Sequence, residues 1–283
     1  MSAGDPSLAR PASLDEAAGA LGNGARPLAG GTDLVQLVRD RLIATDELVD
    51  VRGLLPRGIE SERIGAGTTL SEIESSEMVP AALREACRLA ASPQLRNMGT
   101  IGGNLLQATR CWYWRLAFPC YLHGGDRCHA REGEHREHAI FANEPCASAH
   151  PSDPAAALLA LGAEVETTVR RFPLGELYRL PTDADRSLTT LEPGELILAL
   201  HVPEPDASVY LKAMDRRRFS FALVGVAAAR FSDRIRLALA GVAPIPWALD
   251  SPADLDGATP LPGNEYKLEI ARALVRRALD QLS

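Results

Sequence analysis

The sequence predicts a chain of mixed helices and strands in two or three compact units, and three observations lead there. Its 283 residues exceed one minimal core and suit two domains, or one domain with a satellite. Strands, glycine turns and helices alternate through the first half in the manner of βαβ units, whereas four apolar runs after residue 196 read as antiparallel strands. Apolar residues make up 46% and charged residues 24%, the balance of a globular chain able to bury a sizeable core.

Taken in order, Ser13 before DEAAGALG predicts an N-capped helix ending at Gly22. RPLAGGTDLVQLVRDRL at 26–42 predicts a short strand, a glycine turn and a helix, and LVDV at 48–51 is the next strand. A second unit opens with RIGAGTTLSEIE at 63–74, again strand, turn and helix, and continues in a helix over 79–91. In ASPQLRNMGTIGGNLLQAT at 91–109, Gly99, Gly102 and Gly103 admit close backbone approaches that side chains would block. Between Cys111 and Cys146 the periodicity disappears into a segment rich in His, Arg, Glu and Gly. A loop of that length is rare in a compact domain unless something such as a metal organises it. PSDPAAALLALGAEVETTV at 151–169 restores a helix followed by a strand, and 172–196 is a turn-rich connection. Strands follow at 196–203, 208–214, 219–231 and 234–242, the alanine-rich third being open to a helical reading. YKLEIARALVRRAL at 266–279 closes the chain as a helix.

A formal net charge of −7 argues against broad attraction to phosphate backbones or anionic lipid, so neither nucleic acid nor a membrane is an expected partner. The N-terminus has no basic start followed by an apolar core, and no apolar run reaches the roughly 18 residues of a membrane span. The expectation is a cytoplasmic protein, periplasmic only if exported with a partner. Five cysteines without a secretion signal favour reduced thiols or metal ligands over a disulfide framework. Cys87, among apolar residues at helical spacing, reads as a small buried hydrophobe.

Neither LAGGTDL nor GTIGGN is the G-x-G-x-x-G fingerprint. Each nevertheless follows a strand and sets Thr and Asp or Asn beside its glycines, presenting unpaired N–H groups and side-chain donors that suit a pyrophosphate.

LAGGTDL, IGAGTTLSEIE, ASPQLRNMGTIGGNLLQA, HPSDPAAALLALGAEV and YLKAMDRRRFSFALVGVAAA together resemble, in order and over nearly the whole chain, the FAD-binding subunit of the molybdenum hydroxylases. The resemblance implies an α+β fold: a two-part FAD-binding domain of the vanillyl-alcohol-oxidase type, then a smaller C-terminal α+β domain with an antiparallel sheet. The expected divisions are 1–53 and 54–171 for the two FAD subdomains, with an insert over 107–150, and 172–283 for the C-terminal domain. It implies that Leu28, Ala29, Gly30, Gly31, Thr32, Asp33 and Leu34 wrap the FAD pyrophosphate, and that Thr100, Gly102, Gly103 and Asn104 form a second phosphate loop. Leu106 would line the flavin side, Asp153 would bond a ribose or ribityl hydroxyl, and Lys212 matches a lysine near the flavin. A helix cap for Asp153 and a solvated charge for Lys212 are the plainer readings. The family's C-terminal domain usually runs further, which puts contacts after Trp247 in doubt.

Cys111, Cys120, Cys128 and Cys146, with eight, seven and seventeen residues between them, offer the four thiolates that a [4Fe-4S] cube needs. The segment also resembles the insert of the family's subgroup that binds such a cluster, down to its C-x-Y-x-R start and C-x-x-x-H-P-S-D end. Structural zinc competes, because His123, His129, His135, His138 and His150 share the region, although no C-x2-C pair occurs. Four unrelated thiols are the bland alternative. Trp112, Tyr113, Trp114 and Phe118 read as packing that shields the site, and the histidines as surface groups or hydrogen-bond donors able to tune a cluster.

By the resemblance the protein is an electron-transfer subunit containing FAD and a [4Fe-4S] cluster. Its partners would be a molybdopterin-binding large subunit and a [2Fe-2S] small subunit, and no catalytic acid, base or nucleophile is expected on this chain. A free-standing flavoprotein oxidoreductase and a non-catalytic zinc-binding scaffold are the alternatives.

Overall fold

The computed structural model describes residues 5–21, 24–216, 219–232 and 234–283. The expected helix end at Gly22 lies outside the described residues. In chain order the elements begin with β1 (Ser7–Ala9), α1 (Leu14–Ala20), β2 (Arg26–Leu28), α2 (Leu34–Arg39) and β3 (Glu47–Asp50). These form a small parallel sheet of order β1-β3-β2. The Ser13 hydroxyl accepts the Glu16 N–H at 3.2 Å and starts α1, whose Ala17 is buried with Val49, Val51 and Leu196. Arg41, at φ 56°, turns the chain away from the α2 axis.

The next elements are β4 (Ile59–Glu60), β5 (Arg63–Gly65), α3 (Leu70–Glu74), α4 (Ala81–Leu89), α5 (Pro93–Met98) and α6 (Ile101–Leu105). A capping box between Thr69 and Glu72 opens α3. Cys87 on α4 is fully buried among apolar neighbours, and burial raises its thiol pKa well above the ordinary value. After the insert, which carries α7 (Trp112–Arg115) and α8 (His129–Glu132), come α9 (Asp153–Leu161), β6 (Glu164–Thr167), β7 (Arg171–Pro173) and β8 (Ile197–His201).

The second sheet has the order β4-β5-β8-β6-β7, every pair antiparallel. The boundary expected at 172 falls inside this sheet: β7 spans it, and β8 returns to pair with β5. Sheet membership therefore divides the chain after His201. Local pattern could not have shown this, because β5 and β8 lie far apart in sequence.

The remaining elements are β9 (Ala207–Met214), β10 (Ala222–Phe231), β11 (Arg234–Ala240), β12 (Trp247–Leu249) and α10 (Tyr266–Leu282). They build an antiparallel sheet of order β12-β11-β10-β9 with α10 on one face. The alanine-rich third run is a strand, and its period of two explains why. Ala227 and Ala229 face the core that contains α9, whereas Val224, Val226 and Ala228 face α10. Gly225 is required because a Cβ there would lie 2.2 Å from the Tyr210 hydroxyl.

Between the two antiparallel sheets lies α9, apolar on every side and almost wholly buried, as such a helix must be. Ser152 caps its start, accepting the Ala155 N–H at 3.0 Å, and Gly162 ends it in the left-handed region at φ 70°. One core thus joins the second sheet to the third. Among the described residues no helix is long and apolar enough to cross a membrane.

Candidate functional site

The first glycine turn leaves β2 and enters α2. Gly31 adopts φ 70°, which favours glycine, and Gly30 packs so tightly on the second turn that a Cβ would lie 2.0 Å from the Met98 carbonyl oxygen. Among the described residues, the N–H groups of Gly30, Gly31, Thr32 and Asp33 have no hydrogen-bond partner in the protein. Four consecutive free donors around a left-handed residue at the start of a helix are the chemistry an anion-binding nest needs.

The second turn is different. Residues 101–105 are helical, with Thr100 as the N-cap. The N–H groups of Ile101 and Gly102 donate to the Thr68 and Ala66 carbonyls at 2.8 and 3.0 Å, Gly103 donates to Thr100 Oγ1 at 3.3 Å, and Asn104 to the Thr100 carbonyl at 2.8 Å. Gly102 is there for contact: a Cβ would meet Ala66 Cβ at 3.0 Å. The two turns touch, since a Cβ on Gly99 would lie 3.5 Å from Thr32 Oγ1.

Asp33 spends its side chain on the insert. Its carboxylate accepts from Arg110 at 3.0 Å, Arg115 at 2.9 Å and the Ala108 N–H at 2.8 Å. Burial lowers the Arg110 guanidinium to about 10 against the pull of Asp33. Sequence reasoning gave neither arginine a role, although Arg115 is the arginine of the C-x-Y-x-R start.

Asp153 and Lys212 were expected beside a ligand, and the structure brings them to each other. Lys212 Nζ donates to Asp153 Oδ2 at 2.7 Å and to the Leu89 carbonyl at 3.0 Å, while the Tyr210 hydroxyl donates to Asp153 Oδ1 at 2.5 Å. The two side chains are 3% and 1% exposed, so this pair is a buried tie between α9, α4 and β9. Burial pushes the Asp153 carboxyl up and Lys212 opposes it. The neighbour that reaches the site is Ser152, whose hydroxyl donates to Asn104 Oδ1 at 2.6 Å and fastens α6 to α9.

Leu106 ends α6, part exposed. It borders a cavity of about 260 Å³ whose wall is shared between Leu105, Leu106, His150 and Tyr178 on one side and Trp114 and Leu122 of the insert on the other. The Tyr178 hydroxyl donates to the Leu105 carbonyl at 3.2 Å, and burial holds His150 at about 4, neutral. A second cavity of about 710 Å³ reaches Arg110, Cys111, Trp112, Arg115 and His138.

The four insert cysteines gather around Cys128, close enough for Cys111, Cys120 and Cys146 each to interact with its charge. The Cys128 sulfur accepts the Ala147 N–H at 3.4 Å. Interaction with Cys146 draws Cys128 down to about 5, and the same pairing pushes Cys146 up. Burial raises Cys111 to about 11 and also raises Cys120. His138 Nε2 lies 3.1 Å from Cys111 Sγ. Among the described residues, no three His, Cys, Asp or Glu side chains converge on one point as ligands of a single metal ion do.

The insert is bolted to the C-terminal domain through residues that carried no sequence signal. Lys267, wholly buried on α10, donates to the carbonyls of Glu137, His138 and Gly241 at 3.0, 2.8 and 2.6 Å, and burial lowers it to about 7. Asn264, also fully buried, donates to the His138 and Ala139 carbonyls, both at 3.2 Å.

Comparison with known proteins agrees with this geometry. The model of the FAD binding domain in molybdopterin dehydrogenase matches residues 4–205. The chain is 39% identical over 247 residues to the aldehyde oxidoreductase FAD-binding subunit PaoB of Escherichia coli, spanning 81% of this chain and 78% of that one. It is 42% identical over 106 residues to the carbon monoxide dehydrogenase medium chain of Afipia carboxidovorans, over 34% and 37% of the two chains. A solved chain of reconstituted CO dehydrogenase from Oligotropha carboxidovorans superposes with a TM-score of 0.70 at 25% identity, covering 99% of this chain and 98% of that one, so the mixed α and β architecture is shared throughout. Nest, paired glycine turns and whole-length likeness converge: the chain belongs to the family of FAD-binding domains of the molybdopterin dehydrogenases.

Proposed function

We propose that the chain is the FAD- and [4Fe-4S]-carrying electron-transfer subunit of an oxidoreductase complex, working beside a molybdopterin-binding large subunit and a [2Fe-2S] small subunit. The observation that carries the flavin part is the row of four unpaired N–H groups at residues 30–33. These would hold the FAD pyrophosphate, with Leu28, Ala29 and Leu34 setting the path of the loop and the helical turn of Thr100, Gly102, Gly103 and Asn104 as its floor. The cavity at Leu106 would take the flavin ring, between the FAD half and the insert. FAD supplies exchange of electrons singly or in pairs, and an iron–sulfur cluster exchanges them singly. The protein's part is to bind, orient and shield; no residue of this chain is assigned to act on an organic substrate.

The insert fits a cluster by the chemistry of its donors. Four thiols share one neighbourhood, the Ala147 N–H donates to the Cys128 sulfur, and Asp33 with two arginines pins the entry of the loop. A cube holds its four sulfurs around a body of several atoms, which suits thiols that gather without meeting at one point. Cys111, Cys120, Cys128 and Cys146 would each hold one iron, and the aromatic rings of Trp112, Tyr113, Trp114 and Phe118 pack against His123, His129 and His138 around them.

The test is anaerobic purification of the protein with its co-expressed partners, followed by flavin, iron, sulfide and molybdenum analysis. One FAD and four iron atoms on this chain are expected, with iron lost on Cys→Ser change at any of the four positions and kept in Cys87→Ser. A colourless, zinc-containing chain would sink the electron-transfer reading. A monomer that turns over without molybdenum would sink the assignment of partners.

A further inference from the structure

We infer that His138 sets the potential of the proposed cluster by donating a hydrogen bond from its Nε2–H to the sulfur of Cys111. This rests on the cluster reading above and goes beyond it by assigning one side chain to one sulfur. The ring lies 3.1 Å from Cys111 Sγ, is 2% exposed, and packs edge-on against Trp112 with centroids 4.7 Å apart. Its position is fixed from behind. The His138 carbonyl accepts from Lys267 at 2.8 Å and from Asn264 at 3.2 Å, so α10 holds the backbone from which the ring projects.

The proton's place on the ring follows from what surrounds it. A ligand thiolate can only accept, so Nε2 carries the hydrogen, and Nδ1, which has no partner among the described residues, is left as a bare lone pair. His138 is therefore a donor fixed in direction. A hydrogen bond to a ligand sulfur withdraws charge from it and favours the more negative, reduced state, which raises the reduction potential. His138 is a side-chain donor that substitution can remove. It is a positioning residue, acting on the cluster through Cys111.

The experiment is a redox titration of the anaerobically purified complex followed by electron paramagnetic resonance, for the wild type, His138→Leu and His138→Gln. Leu removes the donor, while Gln restores an N–H of similar reach. The expected result is full iron content in all three, a more negative cluster midpoint in His138→Leu, a return towards the wild-type value in His138→Gln, and an unmoved FAD midpoint throughout. An unchanged midpoint in His138→Leu with iron retained overturns the inference and leaves the cluster reading intact. Loss of iron from both variants overturns it as well, since His138 would then hold the loop and not the potential. Absence of iron from the wild type removes the cluster reading, and this inference with it.

Discussion

Residues 30–33 and 100–104 share a composition, paired glycines beside a threonine and an acid or amide, yet their backbones do opposite things. In the first turn four N–H groups point at nothing in the protein and Gly31 is left-handed. In the second, the N–H groups of residues 101–104 are all engaged by protein acceptors, in a short helix that needs glycine for contact with Ala66. The first turn keeps its donors free for a ligand, and the second has committed its own to the protein. Composition alone suggests two phosphate loops, and backbone accounting tells them apart.

The sharpest way to break this comparison is a methyl group on each turn. In Gly30→Ala the new Cβ overlaps the Met98 carbonyl oxygen at 2.0 Å, so the nest must move by about the width of a bond. Two charge-assisted hydrogen bonds lost, at about 2 kcal/mol each, weaken FAD binding by roughly a thousandfold. Measured FAD content after gel filtration should fall to near zero while circular dichroism stays native. FAD retained at wild-type occupancy would show that residues 30–33 are not the receptor.

Asp33 divides its labour within a single residue: its N–H belongs to the nest and its carboxylate to the insert. Asp33→Ala strands two partly buried guanidinium groups, at a cost of about 3 kcal/mol. The loss should appear as faster proteolysis and lower iron content of the insert, with FAD kept. A variant that loses FAD and keeps iron would reverse this division of labour.

Gly102→Ala tests the supporting turn. Its Cβ would meet Ala66 Cβ at 3.0 Å inside a full core, an overpacking that costs about 2 kcal/mol. Thermal unfolding should begin several degrees lower, while the folded fraction binds FAD as the wild type does. A loss of FAD affinity equal to that of Gly30→Ala, with unfolding unchanged, would make both turns receptors.

What could be read from the sequence follows the reach of local rules. The N-cap at Ser13 and the strand-to-helix turn at residues 29–33 are signals a few residues long, and each stands where expected, whereas the second glycine turn follows the helix α5 and not the strand expected of it. The pairing of β5 with β8, the tie between Asp153 and Lys212, and the grip of Lys267 on the insert join segments with no mutual periodicity. The alanine-rich β10 was ambiguous because alanine suits a helix by propensity and a strand by size, and burial on both faces decided it. The motif HPSD carried no signal for the bond from Ser152 to Asn104, which joins residues far apart in sequence.

That bond gives the smallest and most specific test. The Ser152 hydroxyl both accepts the Ala155 N–H and donates to Asn104 Oδ1, so it caps α9 and fastens the second glycine turn with one atom. Ser152→Ala removes the cap and leaves the Asn104 carbonyl without that donor, together about 1 to 2 kcal/mol. Ser152→Gly should cost less for the helix start alone, because glycine is tolerated at an N-cap. If fastening the floor matters to the receptor, both variants should weaken FAD binding by the same few-fold, although they differ in thermal stability. Equal FAD affinity in wild type, Ser152→Ala and Ser152→Gly would mean that the nest at residues 30–33 holds its shape without the hydrogen bond beneath it, and that the second turn supports through packing on Gly30 alone.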